Sequence, residues 1–185
     1  MNRAASSTYF FNNATGVQDW VSTGATGTKA GDTAILPGTY VIHRNTGGTP
    51  VALALTQTGA VFAQTLSTYV ATSTNKVNDN YIGLPRPTDY TLAELGITDT
   101  SFTQSTSKTA GGRKDLLLVI NPTGSGVNRA PVATYFRYAN DWYSTASTTS
   151  ATNNAVIPAG AAVVIRKVVS DGNDRVWSNN INVSL

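Results

Sequence analysis

Hydrophobic residues in this chain alternate with polar ones or form short apolar runs, separated by clusters of Gly, Pro, Asn and Thr. The clusters recur about every ten residues, a spacing typical of an all-β sandwich or barrel. A short helical turn is expected only at residues 91–96, where a threonine hydroxyl can cap the first turn and a glycine can end it. We therefore predict an antiparallel all-β fold with minimal helix. The predicted strands are 7–11, 20–23, 39–44, 51–56, 61–64, 81–84, 116–121, 133–138, 142–145, 162–168 and 175–177.

The apolar pattern contains an internal repeat. An Asn-Arg-Ala motif leads to Thr-Tyr-Phe in residues 2–10 and again in 128–136. An Asp-Trp pair follows in each copy, and then an Ile-containing turn and a β-branched run. The further matched segments are 18–23 with 140–145, 34–38 with 156–160, and 41–44 with 163–166. Each copy of such a repeat is one supersecondary unit that needs a neighbour to bury its apolar face, so we predict two related β units.

The two copies differ at their start. The second follows an apolar run at 115–121, whereas the first begins directly after Met1 with no such run. We therefore predict an N-terminal unit at 1–78 that lacks its first strand, and a C-terminal unit at 79–185. A proline-containing crossover is expected near 76–90, and the two units either stay separate or pack as one compact body.

Composition and charge argue against several classes of function. Only 12% of residues are charged, the net charge is +3, and the 13 Lys and Arg residues are scattered without a basic cluster, which argues against nucleic-acid binding. No apolar stretch approaches the ~20 residues that a membrane-spanning helix needs. Cysteine is absent, which excludes disulfides and thiolate metal sites. The remaining surface is rich in hydroxyls and amides, as in many extracellular structural and adhesive β-proteins.

Several segments together resemble a known family. Residues 79–87, 92–96, 115–117, 133–136 and 157–160 are similar to an uncharacterised family of secreted, Thr- and Ala-rich two-unit β-repeat proteins from Verrucomicrobia and related bacteria. The likeness covers nearly the whole chain. It implies export and β architecture, and it supplies no catalytic residues. Members of that family are generally longer, with a signal peptide and further β segments.

The sequence contains few residues that could act in catalysis. The single histidine, His43, lies in a predicted strand, and no Gly-x-Ser-x-Gly nucleophile elbow occurs. Asp19 and Asp141 precede the repeated tryptophans and form the best acidic pair, but an aspartate repeated in this position more often caps a turn. Residues 171–174 resemble part of a calcium loop without its downstream glutamate, so we interpret them as a hairpin turn. We expect no enzyme activity, no metal and no cofactor.

Aromatic side chains are the best candidates for binding. Trp20 and Trp142 could stack on a sugar ring, although repeated aromatic residues more often fill a core. Asn13 and Asn182 each start an N-glycosylation acceptor pattern and are candidate sites for covalent glycans.

Two functions remain in contention. The first is an extracellular structural subunit that assembles with copies of itself into a head-to-tail fibre, each copy completing the incomplete unit of the next by strand addition. The candidate assembly strands carry Tyr9, Phe10 and Phe11 at one end of the chain, and Ile181, Val183 and Leu185 in an alternating segment at the other. The alternative is a secreted carbohydrate-binding or adhesive module.

Overall fold

The computed structural model describes residues 5–36, 39, 41–44, 65–84, 88–121 and 130–179. Twelve antiparallel strands form in these residues, and helical structure there is confined to two 3-10 turns, Ala93–Leu95 and Ala110–Gly112. The predicted all-β antiparallel fold is confirmed. The strands are β1 Tyr9–Asn12, β2 Asp19–Ser22, β3 Ala25–Lys29, β4 Leu66–Val70, β5 Asn78–Gly83, β6 Tyr90–Thr91, β7 Leu116–Ile120, β8 Ala133–Tyr138, β9 Asp141–Ser144, β10 Val156–Ile157, β11 Ala162–Lys167 and β12 Arg175–Asn179.

The chain divides into two compact units, residues 1–36 and 37–185. This division lies well before the predicted boundary between 78 and 79. The reason is strand pairing over long sequence distances, because β4 pairs with β12 and β5 pairs with β11. Residues 66–83 therefore belong to the same body as the C-terminal strands.

The N-terminal unit is a three-stranded meander in the order β1-β2-β3. β1 and β2 form a regular hairpin in which Tyr9 lies opposite Ser22 and Phe11 opposite Trp20. β2 continues into β3 with a register shift after Val21.

The C-terminal unit is built on a five-stranded sheet in the order β5-β11-β7-β8-β9, with two further ribbons, β4–β12 and β6–β10. Its two central strands, β7 and β11, supply β-branched and leucine side chains to both faces. Residues directly opposite one another project to the same face of a sheet, so Leu117 and Ile165 pack together in the core.

The core of the C-terminal unit is closed by a short 3-10 turn. Thr91 and Glu94 exchange hydrogen bonds across its first residues, and Gly96 ends it with a φ of +62°, as the sequence predicted. The buried indole of Trp177 donates from Nε1 to the Leu95 carbonyl oxygen at 2.8 Å, which fixes this turn against β12.

Three predicted strands are not matched by strands in the described residues, two of them because they lie outside those residues. The predicted strands 51–56 and 61–64 lie outside the described residues. Residues 39 and 41–44 are described but form no strand, and His43 is exposed there.

Candidate functional site

The two copies of the sequence repeat have matching strand register and backbone hydrogen bonds. Tyr9 pairs with Ser22 as Tyr135 pairs with Ser144, and Trp20 lies opposite Phe11 as Trp142 lies opposite Arg137. Beyond the hairpins, the Thr23 amide donates to the Thr8 carbonyl at 3.0 Å, and the Thr145 amide donates to the Thr134 carbonyl at 2.9 Å. The Ala30 and Thr152 amides likewise donate to the carbonyls of the two tryptophans, each at 2.7 Å. The two hairpins and the turns after them share one backbone pattern.

The repeated aspartates both form hydrogen bonds next to the matched tryptophans. Asp19 Oδ1 accepts from the Trp20 amide at 2.7 Å. In the second copy Asn153 Oδ1 accepts from the Trp142 amide at 2.8 Å, and its Nδ2 donates to Asp141 Oδ1 at 2.7 Å. Asp19 thus bonds the next residue of its own strand and Asp141 bonds a side chain 12 positions away, so the turn-capping role of these carboxylates stays a prediction.

The matched aromatic positions differ in exposure. In the N-terminal hairpin Tyr9, Phe10, Phe11 and Trp20 are 38%, 40%, 53% and 47% exposed. In the second copy, the equivalents of Phe10 and Trp20 are buried, with Phe136 0% and Trp142 4% exposed, whereas Tyr135 and Arg137 are half-buried. We call Tyr9, Phe10, Phe11 and Trp20 the aromatic edge.

One structural difference between the two copies is strand β7. In the C-terminal unit it pairs with the outer side of β8, with Leu117 opposite Tyr135 and Val119 opposite Ala133. Within the described residues, β1 pairs with β2 alone and so lies at the edge of its sheet. A second contact in the C-terminal unit comes from Phe102, whose ring centroid lies 5.2 Å from that of Trp142. Phe11 and Trp20 contact each other edge-on at 5.9 Å.

Strand β11, the second strand that pairs with β7, is also more buried than its repeat equivalent. β7 also pairs with β11, whose repeat equivalent is the segment 41–44. Val163 and Val164 in β11 are buried, whereas Val41 and Ile42 are 63% and 64% exposed. The equivalents of both neighbours of β7 are therefore more exposed in the first copy of the repeat than in the second.

Backbone groups of β1 are also directed to its outer side. The Thr8 carbonyl accepts from Thr23, so it faces β2. Because successive peptide groups of a strand point to opposite sides, the N–H and C=O groups of Tyr9 and Phe11 face the outer edge. The aromatic edge thus offers both main-chain hydrogen-bonding groups and apolar side chains.

The predicted site residues fall into three groups. Tyr9, Phe10 and Phe11 lie in β1, and Asn13 is exposed directly after it. Trp142 corrects the sugar-stacking prediction, because it is buried against Phe102 and offers no open ring face, which leaves Trp20. The third group, Ile181, Asn182, Val183 and Leu185, lies outside the described residues.

The loop at residues 171–174 has the geometry of a turn. Gly172 adopts a φ of +78°, and Asp171 accepts from the Asn173 amide at 3.0 Å and from Arg175 Nη2 at 2.7 Å. Asp174 accepts from the Thr72 amide at 2.9 Å. In the part of the chain that the structure describes, no three His, Asp or Glu side chains form a metal-binding group.

Arg175 controls the ionisation of Asp171. Its hydrogen bond, with two from Asn173, lowers the pKa of Asp171 from 3.8 to about 2. A carboxyl group with a lowered folded-state pKa contributes stability that is complete above pH 3.8 and is lost as the pH falls through about 2. We expect Arg175→Gln to move the titration of Asp171 back toward pH 3.8, measured by ¹³C NMR of the side-chain carboxyl. Arg113→Gln, a matched substitution elsewhere, should leave that titration unchanged; an unchanged titration in Arg175→Gln would contradict the assignment.

Comparisons of the chain with protein-family models, curated proteins and solved structures give no match. Among the described residues, no helix has the length and apolar character needed to span a membrane. The candidate site is therefore defined by this chain's own internal repeat.

Proposed function

We propose that this chain is an extracellular structural subunit that assembles into a head-to-tail fibre, in which a strand from a neighbouring copy pairs with the outer edge of β1. The observation that carries the proposal is the place of β7. In the C-terminal unit a strand fills the edge of β8 that corresponds to the outer edge of β1, where none of the described residues pairs. A strand from another copy would give β1 the partner that β8 already has.

Strand addition suits the chemistry of this edge. An unpaired edge strand is a template for pairing with another chain, with main-chain hydrogen bonds supplying affinity and alternate side chains supplying register. Ordering a donor costs about 1–2 kcal/mol per residue, whereas full burial of one large apolar side chain contributes about 1.5–3 kcal/mol. The apolar side chains of the donor, buried together with the partly exposed aromatic residues of β1, can offset that cost.

The segment 180–185 is the proposed donor. Its sequence places Ile181, Val183 and Leu185 at alternate positions, separated by Asn182 and Ser184. In a strand these three apolar side chains share one face, and Tyr9 and Phe11 share one face of β1. A contact between different parts of two copies propagates into a filament when the rotation between successive copies does not close a ring.

Secretion fits the same proposal. The low charge and the abundance of hydroxyl and amide side chains are common in extracellular β-proteins, and the family resembled consists of secreted proteins. Asn13 is exposed in the loop after β1, where a covalent glycan would have access to solvent.

Substituting Tyr9 by proline tests whether the outer edge of β1 pairs with a strand from another copy. Tyr9→Pro removes the amide that faces the outer edge, while the bonds between β1 and β2 remain, and edge strands tolerate proline in this orientation. We expect wild-type protein to form fibres visible by electron microscopy, Tyr9→Pro to stay dispersed, and Tyr9→Ala, which keeps the amide, to assemble with reduced affinity. Wild-type protein that stays monomeric at high concentration in sedimentation experiments, or Tyr9→Pro that assembles normally, would exclude pairing at β1.

Truncation identifies the donor. Deleting residues 180–185 should abolish fibres and leave a soluble subunit with an unchanged β-type circular dichroism spectrum. Deleting residues 1–8 is the matched truncation. Loss of fibres only with the second deletion would make the N-terminal segment the donor, and normal assembly of both would rule out strand exchange through the termini.

The carbohydrate-binding alternative is favoured by one observation, the exposure of Trp20 beside Phe11. A flat aromatic ring open to solvent can stack on a sugar. Retention of monomeric wild-type protein on insoluble polysaccharide, lost in Trp20→Ala, would support this alternative over the fibre.

A further inference from the structure

Lys167 and Asp115 form a buried pair at one end of the core. Their side chains are 3% and 0% exposed, and the Lys167 amine contacts Asp115 Oδ2 directly. The two residues flank the pairing of Arg166 with Leu116 and so lie opposite each other at the ends of β11 and β7. Their neighbours on the same face, Ile165 and Leu117, are fully buried apolar residues.

The aspartate is held from both sides by backbone amides. Thr103 N–H donates to Oδ2 at 2.6 Å and Val168 N–H donates to Oδ1 at 3.0 Å. The Lys167 amine also donates to the Ser101 carbonyl oxygen at 3.1 Å. These bonds fix the amine against a carboxyl group whose two oxygens already face hydrogen-bond donors.

We propose that Lys167 and Asp115 condense into a side-chain amide bond that covalently links β11 to β7. Desolvation makes a buried ion pair costly, and transfer of one proton from the ammonium to the carboxylate converts it into a neutral amine and a neutral acid. The amine nitrogen then attacks Cγ of Asp115. The Val168 amide, which donates to Oδ1, stabilises that oxygen as it becomes negative in the tetrahedral intermediate, and Oδ2, which faces the amine and the Thr103 amide, is the oxygen that leaves.

The reaction balances without any other reactant. A bond forms between Lys167 Nζ and Asp115 Cγ, and the bond from Cγ to one carboxyl oxygen breaks. That oxygen leaves as water with one proton from the acid and one from the amine. No electrons are exchanged, and burial of both groups hinders the reverse hydrolysis because water has little access.

Intact mass tests the bond directly on the full-length protein. We expect wild-type protein to be lighter than its sequence by one water molecule, and a proteolytic digest to contain one branched peptide that joins Lys167 to Asp115. Lys167→Arg keeps the charge but should restore the full mass, whereas Lys114→Arg, the matched change next to β7, should keep the deficit.

The wild-type measurement needs no variant, so it remains decisive if Lys167→Arg fails to fold. A wild-type mass equal to that of the sequence would overturn the proposal. A deficit of one water without the branched peptide would also overturn it, because cyclisation at Asp171–Gly172 loses water without joining two strands.

Discussion

Substituting Asp115 by alanine is expected to lower the free energy of unfolding of the C-terminal unit by about 3–5 kcal/mol. The change leaves the Lys167 amine buried without its carboxylate, and it removes the acceptor of the Thr103 and Val168 amides. For a unit of this size the loss corresponds to a fall of about 10 °C in Tm, measurable by calorimetry.

Asp171→Ala is the matched control for this substitution. It removes an aspartate from the same unit, where it forms a solvent-exposed pair with Arg175. Exposed pairs of this kind contribute about 0–1 kcal/mol, so its Tm should change little. Equal falls in Tm for the two variants would contradict the larger stabilisation expected from the buried pair of Asp115 and Lys167.

Substituting Trp177 by alanine is expected to cost about 3–5 kcal/mol of unfolding free energy. The indole is 2% exposed in the core, and Nε1 donates to the Leu95 carbonyl, so the change opens a large cavity and leaves that oxygen without its donor. Trp177→Phe keeps most of the volume and should cost less. Urea unfolding followed by far-UV circular dichroism measures both effects.

Trp20→Ala provides the comparison for Trp177. Trp20 is 47% exposed in monomeric protein, so its truncation removes much less buried surface. The urea transition of the C-terminal unit should stay at the wild-type midpoint. A shift as large as that of Trp177→Ala would contradict the difference in burial between the two tryptophans.

Strands with apolar alternation or a continuous apolar run could be predicted from the sequence. The bounds of β8 match the prediction at 133–138, and the run at 116–121 became β7. β3 and β4 were missed because their sequences, Ala-Thr-Gly-Thr-Lys and Leu-Ser-Thr-Tyr-Val, lack that alternation. Their strand conformation depends on pairing with β2 and β12, which a local pattern does not reveal.

The candidate site was predictable only where it follows the repeat. The matched tryptophans could be read from the sequence, whereas the burial of Trp142 could not, because Phe102 comes from an irregular loop outside the repeat. The pair of Asp115 and Lys167 was also missed. These residues are 52 positions apart and belong to no motif, and only the register of β7 with β11 brings them together.

The long-range pairing of the C-terminal unit sets the order in which the chain can fold. Asn179 pairs with Leu66, and Lys167 pairs with Asn78, so β4 and β5 must wait for strands that are synthesised much later. Such non-local pairing slows folding, because a long loop must close before its contacts form. The N-terminal meander joins strands that are neighbours in sequence, so it can form early on the ribosome. The aromatic edge would then be present in the nascent chain before the strands of the C-terminal sheet have paired.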